Sequence, residues 1–317
     1  CGEPEDIVSK LAVEPVLRSA ILSLIASNFV RTQKELLEFF ESSFYGYQYK
    51  DDFGLSVKIS DIIDLLEIYG FVRKAGSKLE PTKLGKRVSE LYLDPESAYH
   101  IIKHFKKAVK GGYAFSYLNL ISNTAEMRPL LKVRKSDWDW IEEKLIEKED
   151  YIFERIPKEW EVEFGEFINS FKTALLLEDW INEKSEDYIL AKYNIRPGEV
   201  HIKIENAKWL LYSASELARL LELKEVQNKI REVLIRIRHG IKIELLPLVK
   251  LRGIGRWRAR KLFSSGLRNV KDLKEVNASE IAKIVGAKIA MNIKEQLGQK
   301  AKIEEVKKGQ VQLKNYG

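Results

Sequence analysis

Cysteine is almost absent. The single one, Cys1, has no partner for an internal disulfide and excludes a cysteine-based zinc site. Long apolar runs are lacking as well: stretches such as Ile21 to Ala26 fall far short of the roughly 18 residues a membrane span needs. No charged, apolar and small-residue leader opens the chain. These absences fit a protein of a reducing cytosol that does not enter a membrane. Catalytic signatures are missing too. There is no Gly-x4-Gly-Lys-Ser/Thr phosphate loop, no Asp-Glu pair after an apolar strand to hold magnesium, no Gly-x-Ser-x-Gly elbow and no His-Glu-x-x-His. His100 and His104 could share a helix face. Two ligands do not hold zinc, however, and Lys103, Lys106 and Lys107 would repel a cation. The chain by itself is expected to catalyse nothing and to hold no cofactor or metal.

What is present is a soluble globular composition of 317 residues, 45% apolar and 32% charged, long enough for two domains or three small ones. The formal charge of +7 is unevenly spread. From Arg236 to Gly317 there are 20 Lys/Arg against 7 Asp/Glu, a net of +13; the other 235 residues carry 34 against 40, a net of −6. Such asymmetry marks a polyanion-binding C-terminal part on a near-neutral body, and nucleic acid is the usual polyanion.

Apolar residues recur mostly at three- and four-residue spacing, so the fold is expected to be mainly α. Residues 1–94 read as a winged helix. Its helices are Glu14 to Ser27, Leu36 to Phe44 behind a Thr32…Glu35 capping box, and Val57 to Tyr69 closed by Gly70. A hairpin, Phe71–Lys74 and Lys78–Pro81, follows, and Thr82 opens another helix. Asp61, Asp64 and Glu67 make the third helix acidic, which favours docking over groove reading. Residues 95–240 read as a multi-helix bundle punctuated by Gly111-Gly112, Pro129, Pro157 and Pro197, with a capping pattern at Ser136…Asp139. Residues 241–298 form the basic domain. Residues 299–317, Lys-rich and poor in large apolar groups, read as a flexible tail.

The basic domain carries the sharpest motif. Leu248-Val-Lys-Leu251-Arg252-Gly253-Ile254-Gly255-Arg256-Trp-Arg258-Ala259-Arg260-Lys261-Leu262 fits a helix–hairpin–helix at every fixed position. Gly253 and Gly255 allow a tight turn with positive φ and no Cβ to block a phosphate, and their amides lead into a helix N-terminus. Ile254 plugs the core, Ala259 lets the helices cross closely, and Leu248, Leu251, Leu262 and Phe263 fill between them. Between Leu248 and Arg268 there are seven basic residues and no acid. A degenerate copy follows at Ile281-x-x-Ile284-x-Gly286-x-x-x-Ala290, its first helix capped by Asn277…Glu280. Pro247 pushes the start of the first hairpin helix later.

A long helix from Glu199 to Leu223 places Val200, Ile204, Ala207, Leu211, Ala214, Ala218 and Leu221 on one stripe. Trp209 falls opposite, near Ile202, Asn206, Ser213 and Glu216. Two readings stand. A tryptophan among small polar groups is suited to stack on an unpaired base. In a bundle, a helix buried on two faces would instead pack Trp209 against a neighbour.

Several segments together resemble the C-terminal part of the archaeal Hjm and metazoan HelQ DNA-repair helicases of superfamily two, the Ski-like group. They are Gly2-Glu-Pro-Glu with Ser9-Lys-Leu-Ala, Asp94-Pro-Glu-Ser-Ala-Tyr-His, Lys172-Thr-Ala-Leu-Leu-Leu-Glu-Asp-Trp180-Ile, Tyr193-Asn-Ile-Arg-Pro-Gly198, Ala207-Lys-Trp-Leu-Leu-Tyr-Ser-Ala, Arg238-His-Gly240, and Gly255-Arg-Trp-Arg-Ala-Arg-Lys-Leu. The resemblance implies a winged helix, a helical ratchet bundle and a helix–hairpin–helix domain without the two RecA-like motor domains. Those motor domains, with their ATP and magnesium, would belong to the same parent chain, and the start at Cys1 rather than Met suggests a fragment. Full-length members move 3′ to 5′ and unwind forked and stalled replication structures. The resemblance makes Trp209 the base-stacking residue of the ratchet helix, with Lys203 and Ser213 beside the strand. It makes Arg252, Gly253, Gly255, Arg256, Arg258, Arg260 and Lys261 the grip on the exiting strand. The basic contact that members carry about two turns before the tryptophan falls here on His201, Ile202 or Lys203. Single-stranded and forked DNA are the expected partners, in an intracellular, DNA-associated setting. At the end of the chain, Gln310, Leu313 and Tyr316 resemble a sliding-clamp-binding peptide whose second aromatic is replaced by Gly317. The alternatives are a stand-alone DNA-binding adaptor and the equivalent region of a related RNA helicase.

Overall fold

A computed structural model describes residues 13–49, 52–109 and 111–299. Among these residues the fold is mainly α, with one two-stranded sheet. They divide into two compact units. The first runs to Trp180 and resumes from Lys184 to Arg238; the second joins Ile181–Glu183 to the residues from His239 onward. The winged helix and the bundle do not separate from each other. Cys1 to Ala12 and the whole tail from Lys300, with Gln310, Leu313 and Tyr316, lie outside the described residues.

The first unit opens with α1 (Glu14–Ala26), α2 (Gln33–Glu41), α3 (Phe44–Tyr49) and α4 (Asp52–Ile68). The helix expected over Leu36–Phe44 stops at Glu41, where Ser42 caps it, and α4 begins five residues before the expected Val57. Thr32 accepts the Glu35 amide at 3.2 Å as expected, but Glu35 reaches back to the Arg31 amide instead of the cap's own. Gly70 takes φ +75° after α4, and the Phe71 amide bonds back to the Leu66 carbonyl, a Schellman closure. Strands β1 (Val72–Ala75) and β2 (Lys78–Pro81) pair antiparallel around Gly76-Ser77. Thr82 then caps α5 (Lys83–Glu90). Gly85 lies so close to the Phe71 backbone that a Cβ would sit 2.0 Å from its carbonyl oxygen, so glycine is the residue that lets α5 seat on the wing. Lys74 of β1 pairs with Asp64 and Glu67, which neutralises part of the acidic helix.

The remainder of this unit comprises α6 (Pro95–Ala108), α7 (Ala114–Ser122), α8 (Trp138–Lys148), α9 (Phe164–Ile181), α10 (Glu186–Tyr193), α11 (Pro197–Leu220) and α12 (Lys224–His239). The Ser136…Asp139 cap does not form. Asp137 instead accepts the Arg134 amide at 2.8 Å and the buried Lys172 ammonium at 2.7 Å, and a single 3-10 turn leads into α8. A second buried pair ties α1 to the start of α6. Arg18, 3% exposed, donates to both oxygens of Asp94 at 2.9 Å and to Glu96 at 2.7 Å. The Trp180 indole donates to the Ile237 carbonyl at 2.8 Å. Asp94, Lys172 and Trp180, which carry much of the resemblance, therefore hold the scaffold.

The second unit contains α13 (Leu246–Val249), α14 (Arg256–Ser264), α15 (Val270–Glu275), α16 (Ala278–Val285) and α17 (Ala287–Gln296). Pro247 occupies the first turn of α13, so that helix starts late, as the fixed φ of proline requires. Leu248, Ile254, Ala259, Leu262, Ile281, Ala290 and Ile293 are almost fully buried and form one core beneath both hairpins. Asn277 makes no side-chain cap. The cap that does form was not anticipated: Asn269 accepts the Lys271 and Asp272 amides at 2.8 and 3.0 Å, and Asp272 accepts the Asn269 amide in return.

Candidate nucleic-acid interface

In the second unit the turn between α13 and α14 fixes the geometry. Gly253 takes φ +86°, a left-handed conformation that glycine alone adopts without strain. Gly255 differs from expectation: its φ is −95° and its backbone extended, so the turn has one left-handed residue, not two. A Cβ on Gly255 would meet nothing within 4 Å. No internal contact requires glycine there, and the position faces open space. The Gln296 side chain of α17 clasps the turn, accepting the Arg252 amide at 2.8 Å and donating to the Arg252 carbonyl at 3.0 Å.

The basic side chains around this turn are not equivalent. Arg252 and Lys261 are exposed. Arg258 donates to the Gly253 carbonyl at 2.8 Å, which braces the turn while leaving part of the guanidinium outside. Arg260 is committed elsewhere. It pairs with Glu183 and, at 2.9 Å, with Glu244, and its hydrogen bond to Glu183, above all, raises the guanidinium pKa. Arg256 is half-buried; burial lowers its guanidinium pKa, with the Glu183 charge opposing. The acid-free run between Leu248 and Arg268 is thus answered by acids that the fold brings from residues 183 and 244. Arg260 is a brace within the unit.

In the first unit, α11 packs against α5, α6, α7 and the short turn Ala125–Met127. It is therefore buried on more than the one predicted stripe, and it runs Pro197–Leu220, so the expected stripe residue Leu221 lies past its end. Two expected strand contacts are corrected. Lys203 is 3% exposed, and its ammonium donates to the Met127 carbonyl at 2.7 Å and to the Pro129 carbonyl. Burial lowers its pKa, with Glu199 opposing. Ser213 is fully buried, and its hydroxyl has no hydrogen-bond partner. Asn206 is likewise engaged, donating to the Glu126 carbonyl at 2.8 Å. Lys203 borders a cavity lined by Pro129, Leu131, Tyr193 and Ile202, but its ammonium is spent on backbone carbonyls, and the Asn206 amide is likewise spent on one.

Trp209 lies between its two readings. It is half-buried, and its indole N–H donates at 3.0 Å to the carbonyl of Leu91, the residue that caps α5. Two turns further on, Glu216 accepts Arg87 of α5 at 2.8 Å. The tryptophan is thus tethered by its nitrogen, and part of its ring remains exposed. Tyr212, three residues along and 47% exposed, lies beside it; the helical wheel gave no reason to single it out. Tyr92 is also exposed, held at φ +57° just after the Leu91 cap.

His100 lies 3.3 Å from Glu154 through Nε2, and His104 bonds the His100 carbonyl at 2.8 Å through Nδ1. Among the described residues no group of three or more His, Cys, Asp or Glu side chains could hold a metal, and no helix is long and apolar enough to cross a membrane.

Comparison with known proteins places these features. Residues 115–240 match the family model for archaeal helicase, domain 4, and residues 245–299 match that for the SAM-like helix-hairpin-helix tandem. The chain is 39% identical over 299 residues to the ATP-dependent DNA helicase Hel308 of Methanocaldococcus jannaschii, covering 94% of this chain and 23% of that protein. It is 38% identical to the Methanocella arvoryzae Hel308 and 35% identical to that of Pyrococcus horikoshii, covering 41% and 42% of those proteins. The chain thus spans less than half the length of these relatives. Matched along nearly its whole length to part of these helicases, with domain 4 followed by the hairpin tandem, the chain corresponds to the C-terminal part of Hel308-type DNA helicases.

Proposed function

We propose that this chain is the DNA-handling region of an ATP-dependent 3′–5′ helicase that acts on forked or stalled replication structures in DNA repair. In this reading α11 contacts single-stranded DNA through Trp209, and the α13–α14 turn holds backbone phosphates. ATP and magnesium would be bound by motor domains of the parent chain, and the setting is intracellular and DNA-associated. The observation that carries the reading is the turn itself: Gly255 opens onto empty space, flanked by Arg252, Arg258 and Lys261. Backbone amides at a helix start together with nearby guanidinium groups are suited to phosphate and carry no base sequence.

The test is binding of the 317-residue chain to single-stranded, duplex and forked DNA, and to RNA of the same sequences. Tighter binding to forked and single-stranded DNA than to RNA supports the reading. Preference for RNA would move the chain to the related RNA helicases, and absence of binding would end the proposal.

Three further results are expected. Arg252→Ala with Arg258→Ala should flatten the slope of log K against log salt by about 1.5, at roughly 0.7–0.9 per lost phosphate contact, equally on unrelated sequences. Arg260→Ala should leave that slope unchanged and lower stability by about 1 kcal/mol, because its partners are Glu183 and Glu244. A flattened slope for Arg260→Ala would mean that it leaves those acids to meet DNA. The purified chain should also show no DNA-stimulated ATPase, since no phosphate loop is present. Hydrolysis above background would refute the division of labour.

A further inference from the structure

Phosphate binding by a glycine turn has no use for a large aromatic, yet one stands in the middle of the basic face. Trp257 is the second residue of α14, directly after the Gly253-Ile254-Gly255 turn, and it is 62% exposed. It adds nothing to the hairpin core, which Leu248, Ile254, Ala259 and Leu262 already fill. An indole carries a large apolar area, so leaving it in water forfeits burial that a core position would have gained. Lys261, one turn on, places its ammonium 3.9 Å from the ring centroid, over one face. That contact orients the ring and keeps a positive charge beside it, while the exposed remainder stays open.

We infer that Trp257 is a stacking platform for an unpaired nucleobase of the strand whose phosphate lies at the Gly253–Gly255 turn. This rests on the phosphate reading of that turn and extends it. In an intact duplex every base is stacked on its neighbours, so an exposed ring beside the backbone gains nothing. On a single strand, a frayed end or a fork, the base next to the held phosphate can leave its stack and lie on the indole, and stacking of this kind tolerates any base. Arg252, Arg258 and Lys261 then hold the adjacent backbone. The hairpin unit would thereby distinguish single-stranded from duplex DNA, a distinction that phosphate contacts alone do not provide.

The experiment uses the whole chain carrying Trp209→Ala, so that stacking on α11 does not mask the effect, with Trp257→Ala or Trp257→Phe added. Affinity is measured for an oligothymidine, for a duplex with a single-stranded overhang, and for a duplex closed at both ends by non-nucleotide linkers. Trp257→Ala should weaken the first two by about 5-fold or more and leave the closed duplex unchanged, and Trp257→Phe should retain most of the affinity. An oligothymidine with one 5-iododeoxyuridine should photocrosslink to the peptide containing Trp257. The melting temperature should stay close to that of the parent, since the side chain is exposed. Equal losses on the closed duplex and the single strand, or no loss and no crosslink, overturn the inference. If Arg252→Ala with Arg258→Ala flattens the salt dependence while Trp257→Ala changes nothing, only the stacking role fails. If neither change has any effect, the phosphate reading fails with it.

Discussion

Replacing Trp209 by alanine should weaken binding of single-stranded DNA by about 5- to 150-fold, the range set by 1–3 kcal/mol for one stacked base. Duplex binding should change little. The same change removes the hydrogen bond to Leu91 and part of a half-buried contact. A stability loss of about 1–2 kcal/mol is therefore expected alongside, below the 3–5 kcal/mol of a fully buried aromatic. Trp209→Phe separates the two effects. It keeps a ring for the base and loses the N–H, so affinity should be largely retained while stability falls by about 1 kcal/mol. Melting and single-strand affinity measured on both variants decide the matter. A fall in melting temperature with affinity spared in Trp209→Ala would show that the residue serves only to seat α11 on α5.

The largest loss of stability is expected at Arg18. Arg18→Met leaves the Asp94 carboxylate, 8% exposed, without the guanidinium that neutralises it at 2.9 Å. Removing one member of a buried pair costs about 3–5 kcal/mol, since the remaining charge stays uncompensated. At roughly 2–4 °C per kcal/mol for a unit of this size, melting should fall by about 6–20 °C. Arg18→Lys keeps the charge but cannot make the two-pronged contact, so its loss should be smaller. Calorimetry on the two variants and the parent tests this. A melting point for Arg18→Met within 2 °C or so of the parent would mean that water takes over the carboxylate.

What was legible in the sequence was local. The hairpin pattern from Leu248 to Leu262, the Gly70 helix stop and the Thr82 cap depend on residues within a turn or two of one another, and each formed. The mainly helical fold followed from the same short-range periodicity. What was not legible depends on distant neighbours. A helical wheel gives the direction of Lys203 and Ser213 but not the helices and the 125–127 turn that cover them, so polar residues that looked open are buried. Arg260 looked like a phosphate ligand because its acids stand 16 and 77 positions away. The cap at α8 moved from Ser136 to the Arg134–Asp137 pair because Lys172, from α9, fixes Asp137. Capping motifs name candidates; the tertiary ion pair selects among them.

The discontinuity of the second unit bears on how that domain can be isolated. Residues 181–183 belong to it, and Glu183 supplies a carboxylate for Arg260. A fragment cut at residue 240 would look complete by sequence, since both hairpins lie downstream. It would nevertheless lack one negative charge and would leave Arg260 to Glu244 alone. Such an excised piece should be more basic at its working face than the same residues in the intact chain, and less firmly folded. Its affinity for any polyanion would overstate that of the parent, in proportion to a charge that the longer chain keeps occupied.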